Sequence, residues 1–249
     1  MRSRLNDKVA VVTGSTRGIG EAIVRRLAAE GARVVVSGID SADGARVARE
    51  IGATYVDADV RSPARCESLI DEVVREHGRI DVLVNNAGVF PSLSLEASTA
   101  EAWDEVFSVN VRGAYLCSRA AVPHLKKAGG VIVNIGTTLA YRGSEDRIAY
   151  AASKGALLSM TKTMAHAFAK ARIRCNWVTV GWVASPGEIA LRDALTGNGL
   201  AYLAERGERT AFGRIETTEE IAAGVAYLSS DEAAHVTGCE LNISGGLWI

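Results

Sequence analysis

The fold is decided by one run near the start of the chain, Lys8-Val-Ala-Val-Val-Thr13-Gly14-Ser-Thr-Arg-Gly18-Ile-Gly20. Its first part is short, apolar and rich in β-branched residues, which is typical of a buried parallel strand. Glycines follow, and apolar residues then recur at helical spacing through Ile23 and Leu27. Between a strand and a helix, such glycines let the backbone approach a pyrophosphate, and the helix N-terminus supplies N–H groups and a positive dipole. The run therefore predicts a dinucleotide-binding unit.

Strands and helices alternate along most of the remaining chain. We predict further strands at 33–37, 54–58, 81–85, 130–135, 173–180 and 240–243, with helices at 42–51, 63–77, 99–127, 149–171 and 218–229. Alternation without a composition break or an internal repeat predicts one α/β domain over residues 1–249. Its core would be a single doubly wound, Rossmann-like parallel sheet of about seven strands with helices on both faces. The ligand crevice of such a sheet lies at the carboxyl ends of its strands.

One segment, residues 185–211, does not fit this alternation. It contains Pro186 and several glycines, and four leucines lie between them: Leu191, Leu195, Leu200 and Leu203. A segment of this kind above the crevice is a candidate substrate lid. A surface loop with no role in substrate binding is the alternative.

The composition excludes several classes of protein. Of the 249 residues, 48% are hydrophobic and 23% are charged, as in an ordinary globular protein with a sizeable core. The net charge of −1 gives no support to a nucleic-acid or membrane-surface partner. No apolar run approaches the roughly 18 residues of a membrane span, and the cysteines and histidines show no disulfide or metal-ligand spacing. We therefore predict a cytoplasmic protein without a metal site.

A tyrosine and a lysine stand one helical turn apart in Tyr150-Ala-Ala-Ser-Lys154. On a helix this spacing places both side chains on one face. A phenol has a pKa of about 10 in water, and a fixed ammonium group beside it stabilises the phenolate and lowers that pKa. The pair could therefore take a proton from an alcohol or return one to a ketone oxygen. An ordinary surface pair is the alternative interpretation.

Together these motifs resemble those of the short-chain dehydrogenase/reductase family over essentially the whole chain. The run from Thr13 to Gly20 matches the family's cofactor loop, Asp59-Val60 its adenine contact, and Asn85-Asn-Ala-Gly88 the segment after its fourth strand. Three of its four catalytic residues are matched by Asn110, Tyr150 and Lys154. The resemblance implies that Tyr150 is the general acid/base, that Lys154 also holds the nicotinamide ribose, and that Asn110 positions a water. An interior helix asparagine bonded to backbone is the alternative for Asn110.

The fourth catalytic residue of the family is usually a serine, thirteen positions before the tyrosine. That position is Thr137 here. Its hydroxyl can still donate to a substrate oxygen, although the methyl group takes room and stiffens the side chain. Thr138 is the second candidate, but neighbouring strand residues point to opposite faces, so we expect only one of the two to face the substrate. We favour Thr137, and a purely structural hydroxyl is the alternative.

The resemblance also implies which residues contact the cofactor. These are Gly14, Ser15, Thr16, Arg17, Gly18, Ile19, Gly20, Gly38, Ile39, Asp59, Val60, Asn86, Ala87, Gly88, Tyr150, Lys154, Gly181, Val183 and Ser185. Within this set, the Val183 backbone and the Ser185 hydroxyl would meet the nicotinamide carboxamide. The family usually has Pro-Gly after the sixth strand, whereas this chain has Val180-Gly181. Losing the proline is expected to loosen the turn without removing a reacting group.

The residues after the second strand favour NADP(H) over NAD(H). NAD-binding proteins usually carry a carboxylate there that accepts from the ribose 2′-OH. By the family's spacing that position is Gly38, which lacks a side chain, and Arg17 stands where NADP-preferring members carry a basic residue. Against this, Ile39 replaces a second arginine and Asp40 is close by. Asp40 could reach the ribose, but we expect it to cap the next helix. NAD(H) therefore remains the alternative.

The resemblance implies an oxidoreductase that transfers hydride between a nicotinamide cofactor and a secondary alcohol or ketone. A 3-oxoacyl-thioester reductase is an alternative within that class, and a non-catalytic cofactor-binding regulatory protein is one outside it. An epimerase or dehydratase that recycles its cofactor is a third possibility. The resemblance also implies a homotetramer built through the helices at 99–127 and 149–171, and the apolar chain end at 245–249 is in keeping with this.

The substrate pocket is expected to be largely apolar. This expectation rests on Val89, Phe90, Leu139, Tyr141, Trp182 and the four leucines of 185–211. Arg142 and Arg147 are close enough in sequence to contact an acidic group, although solvated surface arginines are the favoured interpretation.

Overall fold

The computed structural model describes residues 3–247 and contains one seven-stranded parallel sheet. Its strands are β1 (Val9–Thr13), β2 (Arg33–Gly38), β3 (Thr54–Asp57), β4 (Val82–Asn85), β5 (Val131–Ile135), β6 (Arg174–Val180) and β7 (Glu240–Ile243). Its α-helices are α1 (Gly18–Ala29), α2 (Ser41–Ile51), α3 (Pro63–His77), α4 (Ala100–Phe107), α5 (Ala114–Ala128), α6 (Ile148–Phe168), α7 (Pro186–Thr196), α8 (Gly199–Glu208) and α9 (Thr218–Ser229). The predicted sheet of about seven strands is confirmed.

The order of the strands is β3-β2-β1-β4-β5-β6-β7. The chain therefore moves outward from β1 in one direction, then crosses back to place β4 on the other side of β1. The register pairs Val11 with Val35 of β2 and with Leu83 of β4. A topological switch point of this kind opens a crevice at the carboxyl ends of β1 and β4, where ligands bind in doubly wound folds.

Both faces of the sheet are covered by helices. Every residue of β1 is buried, and its alternate side chains enter two different apolar clusters. Ala10 and Val12 pack with α1, α2 and α9, whereas Val9 and Val11 pack with α3 and α5 on the opposite face. This two-sided burial explains why the strand is apolar at each position rather than at every second one. Within residues 3–247, no helix combines the length and the apolar character that crossing a membrane would require.

The main differences from the predicted elements lie around the cleft. The single helix predicted at 99–127 is divided into α4 and α5 by a π-helical turn, Ser108–Gly113. Residues 185–211, which fit no regular element by sequence, form α7 and α8. The predicted apolar chain end at 245–249 lies partly outside the described residues, because these stop at Leu247.

Candidate active site

The glycine loop after β1 forms a cradle that side chains would fill. Gly14 and Gly18 have φ values of +62° and +60°, a conformation that glycine adopts without steric cost. A β-carbon on Gly14 would lie 2.7 Å from Ala87 Cα, and one on Gly20 would lie 2.5 Å from Asn86 Nδ2. Asn86 itself donates to the carbonyls of Thr13 and Gly14, at 3.0 and 2.8 Å. The loop is therefore held open at the N-terminus of α1, and its shape fits a pyrophosphate.

Two residues of the loop have different surroundings. Arg17 precedes α1 and is exposed, and among residues 3–247 it makes no ion pair or side-chain hydrogen bond. Ser15 is buried, donates to Val12 O at 2.7 Å and accepts from Ser37 N at 2.9 Å. It therefore joins β1 to β2, whereas Arg17 is available to a ligand.

Strand β2 itself carries no carboxylate side chain that could accept from a ribose. Gly38 has no side chain, and a β-carbon there would lie 2.8 Å from Thr16 Cγ2. Asp40 caps α2 by accepting from Asp43 N at 3.1 Å, as predicted from the sequence. Asp59 is paired with Arg61 at 2.6 Å, and this hydrogen-bonded pair lowers the pKa of the carboxyl.

A cleft of about 580 Å³ runs from this loop across the carboxyl ends of the strands. It brings together nearly all of the residues that the sequence places in the site. The lining includes Gly14, Thr16, Arg17, Gly18, Ile19, Gly20, Gly38, Ile39, Asp59, Val60, Asn86, Ala87, Gly88, Thr137, Tyr150, Lys154, Gly181, Val183 and Ser185. Ser15 and Asn110 are not among the lining residues and lie behind its wall.

Tyr150 and Lys154 lie on the first turns of α6, with Lys154 Nζ 5.8 Å from the centre of the tyrosine ring. The ammonium group is buried and donates to Ile135 O at 2.8 Å. Burial lowers the pKa of Lys154 to about 8 and raises the pKa of Tyr150 to about 12. The expectation that Lys154 would bring the phenol pKa down toward neutrality is therefore not met in this geometry. Desolvation is the largest influence on both groups, because the phenolate and the ammonium ion are each disfavoured away from water.

Thr137 is the threonine that contacts the phenol. After burial, the next influence on the pKa of Tyr150 is a hydrogen bond with the Thr137 side chain, which lowers it. Thr137 Oγ1 also accepts from Leu139 N at 3.3 Å, so the short helical turn that follows β5 fixes its rotamer. Thr138 also lines the cleft, so the expectation that only one of the two threonines faces it is wrong, but Thr138 is not among the groups that influence the pKa of Tyr150.

Asn110 lies in the π-helical turn and is almost completely buried. Its amide donates to Val89 O at 2.9 Å, and its carbonyl accepts from Val89 N at 2.8 Å. The same amide donates to Ser153 Oγ at 3.0 Å, and Ser153 donates to Tyr150 O at 2.7 Å. Asn110 thus bonds backbone, as in the alternative interpretation, but the backbone belongs to the wall of the cleft. Sequence reasoning missed Ser153, which links this network to α6.

The turn after β6 is held despite the absence of proline. Strand β6 continues through Val180, in register with Ile243, and Gly181 N donates to Ile243 O at 3.3 Å. Glu216, which sequence reasoning also missed, donates its N–H to Trp182 O at 3.0 Å. A β-carbon on Gly181 would lie 2.5 Å from Glu216 Oε1. Burial raises the pKa of Glu216 to about 7. The loosened turn expected from Val180 is therefore not found.

The substrate end of the cleft is more polar than the sequence suggests. Val89, Phe90, Leu139 and Trp182 line it as expected, but Tyr141 and the four leucines of 185–211 do not. Tyr141 instead hydrogen-bonds Glu240 and Thr179 behind the cleft. Arg142 and Arg147 both line the cleft, and Arg147 is only 6% exposed, so the expectation of a solvated arginine is wrong for Arg147. Two charged residues of α7, Glu188 and Arg192, also line the cleft.

Comparison with known proteins gives consistent matches over nearly the whole chain. The sequence model of the family described as enoyl-(acyl carrier protein) reductase matches residues 14–248. The L-fucose dehydrogenase of Rattus norvegicus is 36% identical, covering 98% of this chain and 90% of its own. The 3-oxoacyl-[acyl-carrier-protein] reductase of Thermotoga maritima is 34% identical, and the match covers 99% of this chain and 100% of the reductase. The structure of Thermoplasma acidophilum aldohexose dehydrogenase superposes with a TM-score of 0.93 at 32% identity. The superposition covers 99% of this chain and 96% of the dehydrogenase.

The doubly wound sheet, the glycine cradle and these matches define the class. This chain belongs to the short-chain dehydrogenase/reductase family and is an oxidoreductase by that membership.

Proposed function

We propose that this protein transfers a hydride between a nicotinamide cofactor, NADP(H) in preference to NAD(H), and a secondary alcohol or ketone. The observation that carries the proposal is the convergence of Thr137, Tyr150 and Lys154 on one end of a cleft whose other end is the glycine cradle. A nicotinamide ring bound there would supply the hydride chemistry. The chain's own residues bind, orient and move the proton.

Tyr150 is the general acid/base of this mechanism. With a pKa raised to about 12, its phenol is protonated at neutral pH and can donate to a ketone oxygen. In the opposite direction, its phenolate takes the proton of the alcohol. Thr137 has a single hydroxyl proton, which is directed at the phenol in this structure and would turn to the substrate oxygen when substrate binds, where negative charge develops during reduction.

Lys154 and Asn110 support this reaction from behind the cleft. Lys154 is fixed by Ile135 O at 2.8 Å, which leaves donors of its ammonium group for the nicotinamide ribose. Asn110 holds the Val89 backbone on one side and Ser153 on the other, which orients the start of α6. We propose that a water beside Asn110 passes the proton outward, as the resemblance implies.

A spectrophotometric screen tests the proposed function. The purified protein should change nicotinamide absorbance in the presence of secondary alcohols or ketones. An acyl-thioester reductase is the second candidate, because a relative of that name is 34% identical over the whole chain. Turnover confined to β-keto thioesters would favour that candidate. Cofactor binding without turnover of any of these compounds would contradict the proposal and favour a regulatory protein.

The two threonines after β5 provide a matched pair of variants. Thr137→Ala is expected to lower kcat/KM by about 10- to 100-fold, because a hydrogen bond to a charged group contributes about 1.5–3 kcal/mol. Thr137→Ser keeps the hydroxyl and should remain close to the parent, and Thr138→Ala should cost less than Thr137→Ala. Steady-state kinetics of the three variants would assign the role to Thr138 if the order were reversed.

We also propose that the protein is a homotetramer paired through α4, α5 and α6. Trp103 stacks on Phe107 with ring centres 4.8 Å apart, and both Trp103 and Tyr115 are exposed at this surface. We expect a tetrameric mass by light scattering at micromolar concentration and a smaller species for Tyr115→Glu, because burying an unpaired charge in an interface is costly. Leu195→Glu, at a residue 58% exposed on α7, is the matched control and should keep the parent's mass. A monomeric parent would refute the proposal.

A further inference from the structure

Glu188 is a charged residue in the cleft that the proposed reaction does not use. It is the third residue of α7, is only 8% exposed and lines the cleft at its substrate end. Four influences act on the pKa of Tyr150: burial, Thr137, Arg147 and the charge of Glu188. The charge of Glu188 raises that pKa. Tyr150 lines the same cleft, so the carboxylate and the reacting phenol face the same space.

The side chain of Glu188 is held rigidly through one of its two oxygens. Oε1 accepts from Trp182 Nε1 at 2.9 Å and from Arg192 Nε at 2.7 Å. Arg192 is itself fixed, with its guanidinium 5.5 Å from the ring of Trp182 and 5.4 Å from that of Tyr202. Among residues 3–247, no group donates to Oε2. One oxygen of a preorganised carboxylate is thus left for a ligand.

The same end of the cleft is also lined by a second charged residue and an aromatic ring, Arg147 and Phe90. Arg147 donates to Phe90 O, and its guanidinium lies 5.8 Å from the centre of the Phe90 ring. The nearest carboxylate to Arg147, that of Asp146, is 3.8 Å away. The substrate end therefore offers apolar faces on Phe90 and Trp182 with fixed donors and acceptors at their edges. A purely hydrocarbon substrate would leave the Glu188 oxygen desolvated and unpaired, which is unfavourable.

We propose that Glu188 Oε2 accepts a hydrogen bond from a second hydroxyl group of the substrate, so that the preferred substrate is an uncharged polyol. The reacting carbinol of this substrate would lie at Tyr150, and a neighbouring hydroxyl group would lie at Glu188. The C–H surfaces of the substrate would pack against Phe90 and Trp182. A carboxylate or phosphate group has no hydrogen to donate to Oε2, whereas a hydroxyl group does. This inference rests on the proposed function, because it requires the alcohol to react at Tyr150.

A pair of alcohols that differ by one hydroxyl tests the inference without any variant. The parent enzyme should oxidise a vicinal cyclohexane diol with a kcat/KM about 10- to 100-fold higher than that for cyclohexanol, as expected for a hydrogen bond to a charged group. It should likewise reduce the corresponding hydroxyketone faster than a neutral acetoacetyl thioester, which has no hydroxyl to donate. Equal rates for the two alcohols, or a preference for the thioester, would overturn the inference.

Glu188→Gln tests whether this residue carries the preference. The amide keeps the size of the side chain but removes its charge, so the ratio of kcat/KM for the diol over cyclohexanol should fall by about tenfold or more. Glu205→Gln on α8 removes a carboxylate from an exposed pair with Arg209 and should leave the ratio unchanged. An unchanged ratio in Glu188→Gln would overturn the inference. Absence of turnover of both alcohols and both carbonyl compounds by the parent would instead refute the proposed function itself.

Discussion

Tyr150→Phe is expected to lower kcat/KM by about 10²–10⁴-fold, the usual contribution of a positioned general acid/base. The substitution removes one hydroxyl and keeps the ring, whose edge packs against Phe90 with centres 6.2 Å apart. The glycine cradle lies at the other end of the cleft, so cofactor affinity should change little. The substitution should therefore slow the catalysed reaction without changing the folding of the protein or its binding of the cofactor.

Three measurements separate this outcome from a structural effect. Thermal unfolding and a fluorescence titration with cofactor should match the parent, and Tyr227→Phe on α9, which does not line the cleft, should keep full activity. Alcohol oxidation by the parent should accelerate as pH rises toward the raised pKa of the phenol, because only the phenolate accepts the proton. Tyr150→Phe should lack this dependence. Activity within a few-fold of the parent would remove Tyr150 from the mechanism.

Much of the fold could be predicted from local sequence patterns. The buried strands are short apolar runs bounded by glycine or polar residues, and β1 is apolar at each position because both faces of the sheet are covered. The π-helical turn at Ser108–Gly113 could not be predicted in this way. The turn contains Asn110, whose side-chain amide hydrogen-bonds the backbone of Val89. These two residues are far apart in sequence, and helical periodicity reports only contacts between residues one or two turns apart.

The polar end of the cleft was missed for a physical reason. The spacing of leucines in residues 185–211 suggested an apolar lid, but Leu195 and Leu200 are 58% and 62% exposed. A helical pattern does not reveal which face of a surface helix meets the cleft, and here the inner face carries Glu188 and Arg192. The pKa of Tyr150 illustrates the same limit. The spacing of Tyr150 and Lys154 is visible in the sequence, whereas the burial that raises the pKa of the phenol depends on the whole fold.

The preference for NADP(H) is expected to depend on Arg17 and on the missing side chain at Gly38. Arg17 is exposed beside the cradle, and no group among residues 3–247 competes for its guanidinium. Its planar fork suits a ribose 2′-phosphate. Arg17→Ala should therefore lower kcat/KM for NADPH by about 10- to 100-fold, which corresponds to the loss of a charge-assisted hydrogen bond. The value for NADH should stay close to that of the parent.

Gly38→Asp is expected to reverse the preference, because a carboxylate there repels the phosphate and accepts from a ribose 2′-OH. Like charges placed together cost several kcal/mol, so the ratio of the two kcat/KM values should shift by about 10²–10³-fold. The new β-carbon would lie 2.8 Å from Thr16 Cγ2, so the substitution should be made together with Thr16→Ser, which removes that methyl group. Thr16→Ser alone is the control and should keep the parent's preference. Asp40 caps α2, so Asp40→Ala should destabilise the helix without changing the ratio. A parent that prefers NADH and loses that preference in Asp40→Ala would place the ribose carboxylate at Asp40 and contradict the assignment to Arg17 and Gly38.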